Sequence, residues 1–60
     1  MTYMTLNEAL THSNKVRWRY WPSDTYAYMN EDGNVLLNKT HHAIRLNVSM
    51  LNADWYPVVD

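Results

Sequence analysis

The chain has 60 residues, a formal net charge of −1 and no cysteine, and 47% of its residues are apolar. This length predicts a single domain over residues 1–60. The lack of cysteine excludes disulfides and thiolate metal sites. The nearly balanced charge gives no basic field for binding a nucleic-acid polymer. No apolar run reaches the length of a transmembrane helix, so we expect no membrane partner.

The aromatic content, three Trp and five Tyr, predicts self-association. Each such side chain buries about 150–250 Å² when fully packed, whereas a chain this short hides only about 60% of its surface. We therefore expect a homo-oligomer, a dimer or tetramer, that covers some of these rings. Residues 1–10 lack the basic and apolar regions of a signal peptide, which indicates the cytoplasm.

The first predicted element is a short helix. Thr5 and Glu8 have the spacing of a capping box, in which each side chain bonds the backbone of the other. The apolar face of the helix would consist of Leu6, Ala9 and Leu10. We expect the helix to end by Ser13–Asn14, with Asn14 in the left-handed conformation that often closes helices.

Residues 15–21 alternate in character, and β-branched and aromatic residues favour a strand there. Period two directs one set of side chains to the core: Val16, Trp18 and Tyr20. It directs the other set outward: Lys15, Arg17, Arg19 and Trp21. The first strand is therefore expected to carry a cationic and aromatic outer face.

The remaining elements are predicted from turns and alternation. Residues 22–24 form a turn, and residues 25–29 a second strand with Tyr26 and Tyr28 on one face. Residues 30–34 give the strongest hairpin signal, because Gly33 can adopt a positive φ before a third strand at 35–38. Residues 43–48 alternate as a fourth strand, Ser49 would cap a helical turn, and residues 55–59 would form an edge strand because they contain Pro57.

These elements give an α+β fold, in which a short N-terminal helix packs on a small twisted antiparallel sheet of four to five strands. The expected core consists of Leu6, Leu10, Val16, Trp18, Tyr20, Leu36, Ile44, Leu46 and Val48.

Catalytic motifs are sparse in this sequence. A nucleophile elbow, a P-loop and a dinucleotide-binding loop all need glycines, and the chain has one. His41 and His42 are adjacent, which is a poor spacing for chelating a metal. We predict a protein that is not an enzyme and has no metal or cofactor. His41 remains a candidate ligand contact, and an acid–base role for His41 or His42 is the enzymatic alternative.

The outer face of the first strand is the strongest functional signal. Arg17 and Arg19 offer planar multi-donor groups suited to phosphate, and Trp21 offers a surface on which a base can stack. Tyr26 and Tyr28 on the neighbouring strand could extend this nucleotide site. The same pattern is also typical of an oligomer interface or of a solvated face whose long side chains cover apolar surface.

The order of these motifs resembles the second family of phage Thoeris anti-defence proteins. The resemblance is carried by "EAL" at residues 8–10, "KVR" followed by Trp21, "YAY" at residues 26–28, and the closing "ADWYPVV" of residues 53–59. It implies an oligomer that binds a cyclic nucleotide immune signal between protomers without cleaving it. It implies that Trp21 stacks on a base, that Arg17 meets phosphate, and that Asp54 and Trp55 are structural or line the pocket.

The predicted function is therefore that of a phage protein in the host cytoplasm that sequesters a signalling nucleotide, either of the cyclic ADP-ribose type or a cyclic oligonucleotide. The predicted ligand-binding residues are Arg17, Arg19, Trp21, Tyr26, Tyr28, His41 and Asp54. The alternative is a small viral inhibitor that binds a host protein through an aromatic surface.

Overall fold

The computed structural model describes residues 2–59. Helix α1, Leu6–His12, precedes strands β1 (Lys15–Trp18), β2 (Ala27–Met29) and β3 (Val35–Leu37). A 3₁₀ helix, Val48–Leu51, then leads to strand β4, Trp55–Pro57. The four strands form one antiparallel sheet in the order β3-β2-β1-β4. One short helix on a four-stranded antiparallel sheet confirms the predicted α+β fold.

Helix α1 begins where the capping box predicts. The Glu8 backbone N–H donates to Thr5 Oγ1 at 3.3 Å, and the Thr5 N–H donates to the Glu8 carboxylate at 3.4 Å. Its end differs from the prediction, because Ser13 is the C-cap and is extended, with φ −157°. Asn14 has no positive φ either, so the predicted left-handed cap is wrong. The Ser13 side chain instead donates to the Val58 carbonyl at 2.7 Å.

The core lies between one face of the sheet and the elements that cover it, α1 and the 3₁₀ helix. Its buried members are Leu6, Ala9, Val16, Ala27, Met50 and Trp55. Trp55 is fully buried, and its Nε1 donates to the Met50 carbonyl at 2.7 Å. This bond ties the 3₁₀ helix to β4 and satisfies the single polar atom of the buried ring.

Three predicted core residues are wrong. Tyr20 is 63% exposed, Leu46 43% and Val48 84%. Tyr20 follows the end of β1, where a turn breaks the alternation that directed it inward.

The segment 43–48 is not a strand, because a single bridge, Leu36 to Ala43, joins it to the sheet. The side chain of Asn47, not of Ser49, caps the helical turn by accepting from the Met50 N–H at 3.0 Å. This turn places Met50 in the core, where the predicted strand would have placed Leu46 and Val48.

The strand at the C-terminal end lies at the sheet edge, as Pro57 predicts. β4 pairs with β1 alone among the named strands. Beyond it, Met4 exchanges backbone hydrogen bonds with Trp55 at 2.7 and 2.8 Å, which protects part of the edge. The 30–34 hairpin is also confirmed, with Gly33 at φ +83° and the Asn30 N–H bonded to the Asn34 carbonyl.

Candidate functional site: a cleft on the open face of the sheet

The face of the sheet opposite the core, called the open face here, carries the outward side chains of β1. Val16 is fully buried beneath α1, so its neighbours Lys15 and Arg17 point to the other side. Lys15 Nζ lies 5.5 Å from the centre of the Tyr26 ring, and Arg17 Cζ lies 5.4 Å from that of Tyr56. These are cation–π distances. Of the four residues predicted for this face, Lys15 and Arg17 lie on it, and the rings beside them come from Tyr26 and Tyr56 rather than from Trp21.

A cleft of about 360 Å³ opens at the Lys15 end of this face. Its volume lies within the range of small-molecule sites, roughly 300–1,000 Å³. Tyr28 pairs with Lys15 across β1 and β2, and its ring centre lies 6.5 Å from that of Tyr26, with the planes at 60°. The residues lining the cleft are Asn14, Lys15, Tyr26, Tyr28, Met29, Asn38 and His41.

His41 reaches the cleft from the loop after β3. A hydrogen bond of 2.9 Å joins its Nδ1 to the Tyr28 hydroxyl, and the two rings meet at 67°. The backbone at His41 has φ +59°, a conformation that non-glycine residues rarely adopt. The His41 N–H donates to the Leu37 carbonyl at 2.9 Å, which holds this turn against the end of β3. The structure thus brings together three predicted site residues, Tyr26, Tyr28 and His41.

Asn38 supports the cleft through its side-chain amide. Its Oδ1 accepts from the Tyr26 N–H at 3.0 Å, and its Nδ2 donates to the Asp24 carbonyl at 3.0 Å. Lys39 Nζ also reaches Asp24, at 2.6 Å from Oδ2, and holds the pKa of that carboxyl below its ordinary value of 3.8. The loop that carries His41 is therefore tied to the turn before β2.

Arg17 is placed on the open face but not in the cleft. Its Nε donates to the Thr25 carbonyl at 2.9 Å, and its Nη2 to the carbonyls of Trp21 and Pro22. Its Nη1 donates to the Tyr56 hydroxyl. All three guanidinium nitrogens therefore donate to acceptors within the protein itself. This side chain fastens the 21–25 segment to the sheet.

Arg19 lies beyond the end of β1, in a second cationic and aromatic cluster. Its guanidinium carbon lies 4.4 Å from the Tyr3 ring centre and 5.3 Å from that of Tyr20. Arg19 Nη1 is 3.5 Å from Asp54 Oδ1, and the Arg19 N–H donates to the Asp54 carbonyl at 2.9 Å. Arg19 and Asp54 thus lie together, outside the cleft.

Trp21 does not share a face with Arg17, so the predicted strand over residues 15–21 is wrong in its last part. β1 ends at Trp18, and a turn follows in which the Trp21 N–H donates to the Trp18 carbonyl at 3.0 Å. The Trp21 ring packs edge-on against buried Trp55, with centres 5.2 Å apart, and lies 6.3 Å from Trp18. Packing this large ring against the core favours the turn over a longer strand.

Sequence reasoning did not name Lys15, Asn14, Met29 or Asn38 as site residues. The alternation that placed Arg17 outward also places Lys15 outward, so this signal was present in the sequence. The amides of Asn14 and Asn38 gave no such signal, because their positions depend on β2 and the loop after β3.

Within residues 2–59, no group of three or more His, Asp or Glu side chains is arranged to hold a metal ion. None of the helices described is long and apolar enough to cross a membrane. No protein-family model, curated protein or solved structure matches this chain.

Proposed function

We propose that this chain is a phage anti-defence protein that binds a cyclic nucleotide immune signal and withholds it from host effectors. The observation that carries the proposal is the cleft at the Lys15 end of the open face. It combines a cation with three rings, Tyr26, Tyr28 and His41, in a volume suited to a small molecule. The resemblance of the chain's motifs to an anti-defence family supplies the ligand class, of the cyclic ADP-ribose type or a cyclic oligonucleotide.

The chemistry of the cleft supports recognition of an anionic ligand with a planar ring. Tyr26 and Tyr28 supply aromatic surface, and base–aromatic stacking contributes about 1–3 kcal/mol per base. Lys15 brings a positive charge to the same wall, directly across from Tyr28. Phosphate is attracted to such a charge as to a point charge. In this proposal Lys15 replaces Arg17 as the phosphate contact, and Tyr26 and Tyr28 replace Trp21 as the stacking surface.

Sequestration sets a requirement on affinity. A protein that withholds a signal must bind it with a Kd below the concentration at which the signal acts. A nanomolar Kd corresponds to about −12 kcal/mol. A second copy of the chain that closes the open side of the cleft would add contacts and desolvate the ligand, so the proposal includes a homo-oligomer in the host cytoplasm.

Isothermal titration against cyclic ADP-ribose isomers and cyclic dinucleotides tests this function. We expect saturable binding to at least one ligand, and loss of at least tenfold in affinity for Tyr28→Ala. The matched control is Tyr20→Ala, which removes an exposed ring outside the cleft and should bind as the wild type does. Absence of heat for every ligand at about 100 µM protein, a concentration far above a nanomolar Kd, would refute the proposal.

The proposal contains no chemical step, so the bound ligand should be recovered unchanged. Chromatography of the ligand after incubation and heat denaturation measures this. Recovery of a cleaved ligand would instead support the enzymatic alternative, in which His41 acts as acid or base beside Tyr28.

A host-protein inhibitor is the second candidate, and the Arg19 cluster favours it. Tyr20 is 63% exposed beside Arg19, and Tyr and Arg are enriched at the centres of protein interfaces. Capture from a bacterial lysate distinguishes the two functions. A stoichiometric host protein retained by the wild type and by Tyr28→Ala, but lost with Tyr20→Ala, would support the inhibitor.

A further inference from the structure

The polar groups that line the cleft differ in whether their hydrogen-bonding capacity is already used. The amide of Asn38 bonds Tyr26 and Asp24 on its two sides. The Tyr28 hydroxyl and His41 Nδ1 bond each other. These bonds fix the positions of groups that shape the cleft.

Asn14 differs from Asn38, the other amide of the cleft. Its side chain is exposed, and its amide makes no hydrogen bond to any residue in the described range 2–59. Its backbone is nevertheless fixed, because the Asn14 carbonyl accepts from the Met29 N–H at 2.9 Å, next to the first pair of the β1–β2 ladder. The cleft therefore presents, at its rim, a carboxamide on a rigid support with both its donor and its acceptor available.

A carboxamide presents a donor and an acceptor side by side. This pattern complements the edge of a 6-aminopurine, where the amino group donates and a ring nitrogen accepts, as in Asn–adenine pairs. Lys15 is only a donor and cannot make this distinction. We infer that Asn14 is the residue that selects a 6-aminopurine base in the cleft, a role that rests on the proposed nucleotide binding.

The base selection can be measured with two mononucleotides. Adenosine 5′-monophosphate and purine riboside 5′-monophosphate share the phosphate, the ribose and the purine ring, and they differ in the amino group at position 6, without which the base has acceptors but no donor for the amide. Titrations followed by NMR chemical shifts give both Kd values, even where these are millimolar. One bidentate pair contributes about 1–3 kcal/mol to discrimination, which is roughly 5- to 150-fold in Kd.

We expect the wild type to prefer the adenosine nucleotide within that range, and Asn14→Ala to bind both nucleotides with nearly equal Kd. The Asn14 backbone lacks a positive φ, so alanine fits there. The control is Asn7→Ala, which removes an exposed amide on α1, across the sheet from the open face, and should keep the preference. Circular dichroism confirms that each variant is folded.

Equal binding of the two nucleotides by the wild type would overturn the role of Asn14, as would a preference that survives in Asn14→Ala. Both results would leave nucleotide binding itself intact. If the wild type binds neither mononucleotide, the base selection is overturned, and the titration with cyclic ligands then decides the proposed function separately.

Discussion

The chain uses its aromatic residues in two different ways, which a comparison of the cleft with the tryptophan cluster makes plain. In the tryptophan cluster, Trp21 packs edge-to-face on both Trp18 and Trp55, and Trp55 is fully buried. In the cleft, Tyr26 and Tyr28 line an opening of about 360 Å³.

The difference teaches that a high aromatic content does not by itself indicate a binding surface. The tryptophans provide apolar area to a fold that has little of it, since the buried core has six residues. The tyrosines carry hydroxyl groups that tolerate water, so they can line an open site. Variants that damage the fold should therefore separate from variants that damage binding.

The largest effect is expected for Trp55→Ala. The substitution removes a fully buried ring and the donor to the Met50 carbonyl. Replacing a buried Trp with Ala costs about 3–5 kcal/mol, and a core of this size supplies about the same amount in total. We expect the variant to be largely unfolded at 25 °C by circular dichroism.

Tyr28→Ala is the matched variant for that comparison, because it removes a ring of the cleft rather than of the core. Its melting temperature should stay close to that of Tyr20→Ala, whose ring is exposed. If Trp55→Ala melted like these two variants, the division between a core set and a cleft set of rings would be wrong.

Arg17→Lys should have the second-largest effect on stability. Lysine keeps the charge but cannot reach the carbonyls of Thr25, Trp21 and Pro22 together with the Tyr56 hydroxyl. Hydrogen bonds from a charged donor contribute about 1.5–3 kcal/mol, and we expect a loss of about that size in urea denaturation.

Arg45→Lys is the control for Arg17→Lys, because Arg45 is exposed and lies outside the strands. It should change the free energy of unfolding by less than about 0.5 kcal/mol. A stable Arg17→Lys variant that loses nucleotide binding would contradict the structural role and restore Arg17 as a phosphate contact.

Much of the fold is predictable from local sequence. The capping box of Thr5 and Glu8, the hairpin at Gly33 and the edge position of Pro57 each depend on a few neighbouring residues. The outer face of β1 follows from period two, as does the placement of Tyr26 and Tyr28 on one side of the sheet.

The errors arise where contacts distant in sequence decide the structure. Alternation continues through Trp21, but packing against Trp55, 34 residues later, favours a turn after Trp18. Alternation also continues from Ile44 to Val48, but the chain forms a 3₁₀ helix that buries Met50 rather than a strand that would bury Leu46 and Val48. For the site, the sequence predicts Arg17 as a phosphate contact because it cannot show that the guanidinium donates to carbonyls of residues 21–25. The cleft itself depends on the loop that brings His41 to Tyr28.

Tyr28→Phe should sharpen the comparison within the cleft. It keeps the ring and removes the hydroxyl that bonds His41 Nδ1. An exposed hydrogen bond of this kind contributes about 0.5–1.5 kcal/mol, so the fold should remain intact. We expect the amide protons of residues 39–42 to exchange faster in this variant, as measured by NMR.

Tyr20→Phe is the control for that measurement, and it should leave the exchange of the 39–42 loop unchanged. Equal exchange in the wild type and in Tyr28→Phe would show that the bond to the Leu37 carbonyl and the Asp24 contacts hold the loop without the His41 side chain.

The smallest effect concerns the ion pair between Asp24 and Lys39, which ties this loop to the turn before β2. The hydrogen bond and charge of Lys39 lower the pKa of Asp24 below 3.8. Because the pKa in the folded state is lower than in the unfolded state, the pair stabilises the fold above pH 3.8. That contribution is lost as the pH falls from 3.8 through the lower folded value.

An NMR titration of the Asp24 carboxyl measures this directly. In Lys39→Met its pKa should rise toward 3.8, and the exchange of residues 39–42 should already be faster near neutral pH and should lose the acid-induced change that the wild type shows. Lys39→Arg keeps a cation at this position and should preserve the low pKa. A pKa of Asp24 that is the same in all three proteins would show that Lys39 does not hold the loop. The support of the cleft would then come from the amide of Asn38, whose two hydrogen bonds do not change with pH in this range.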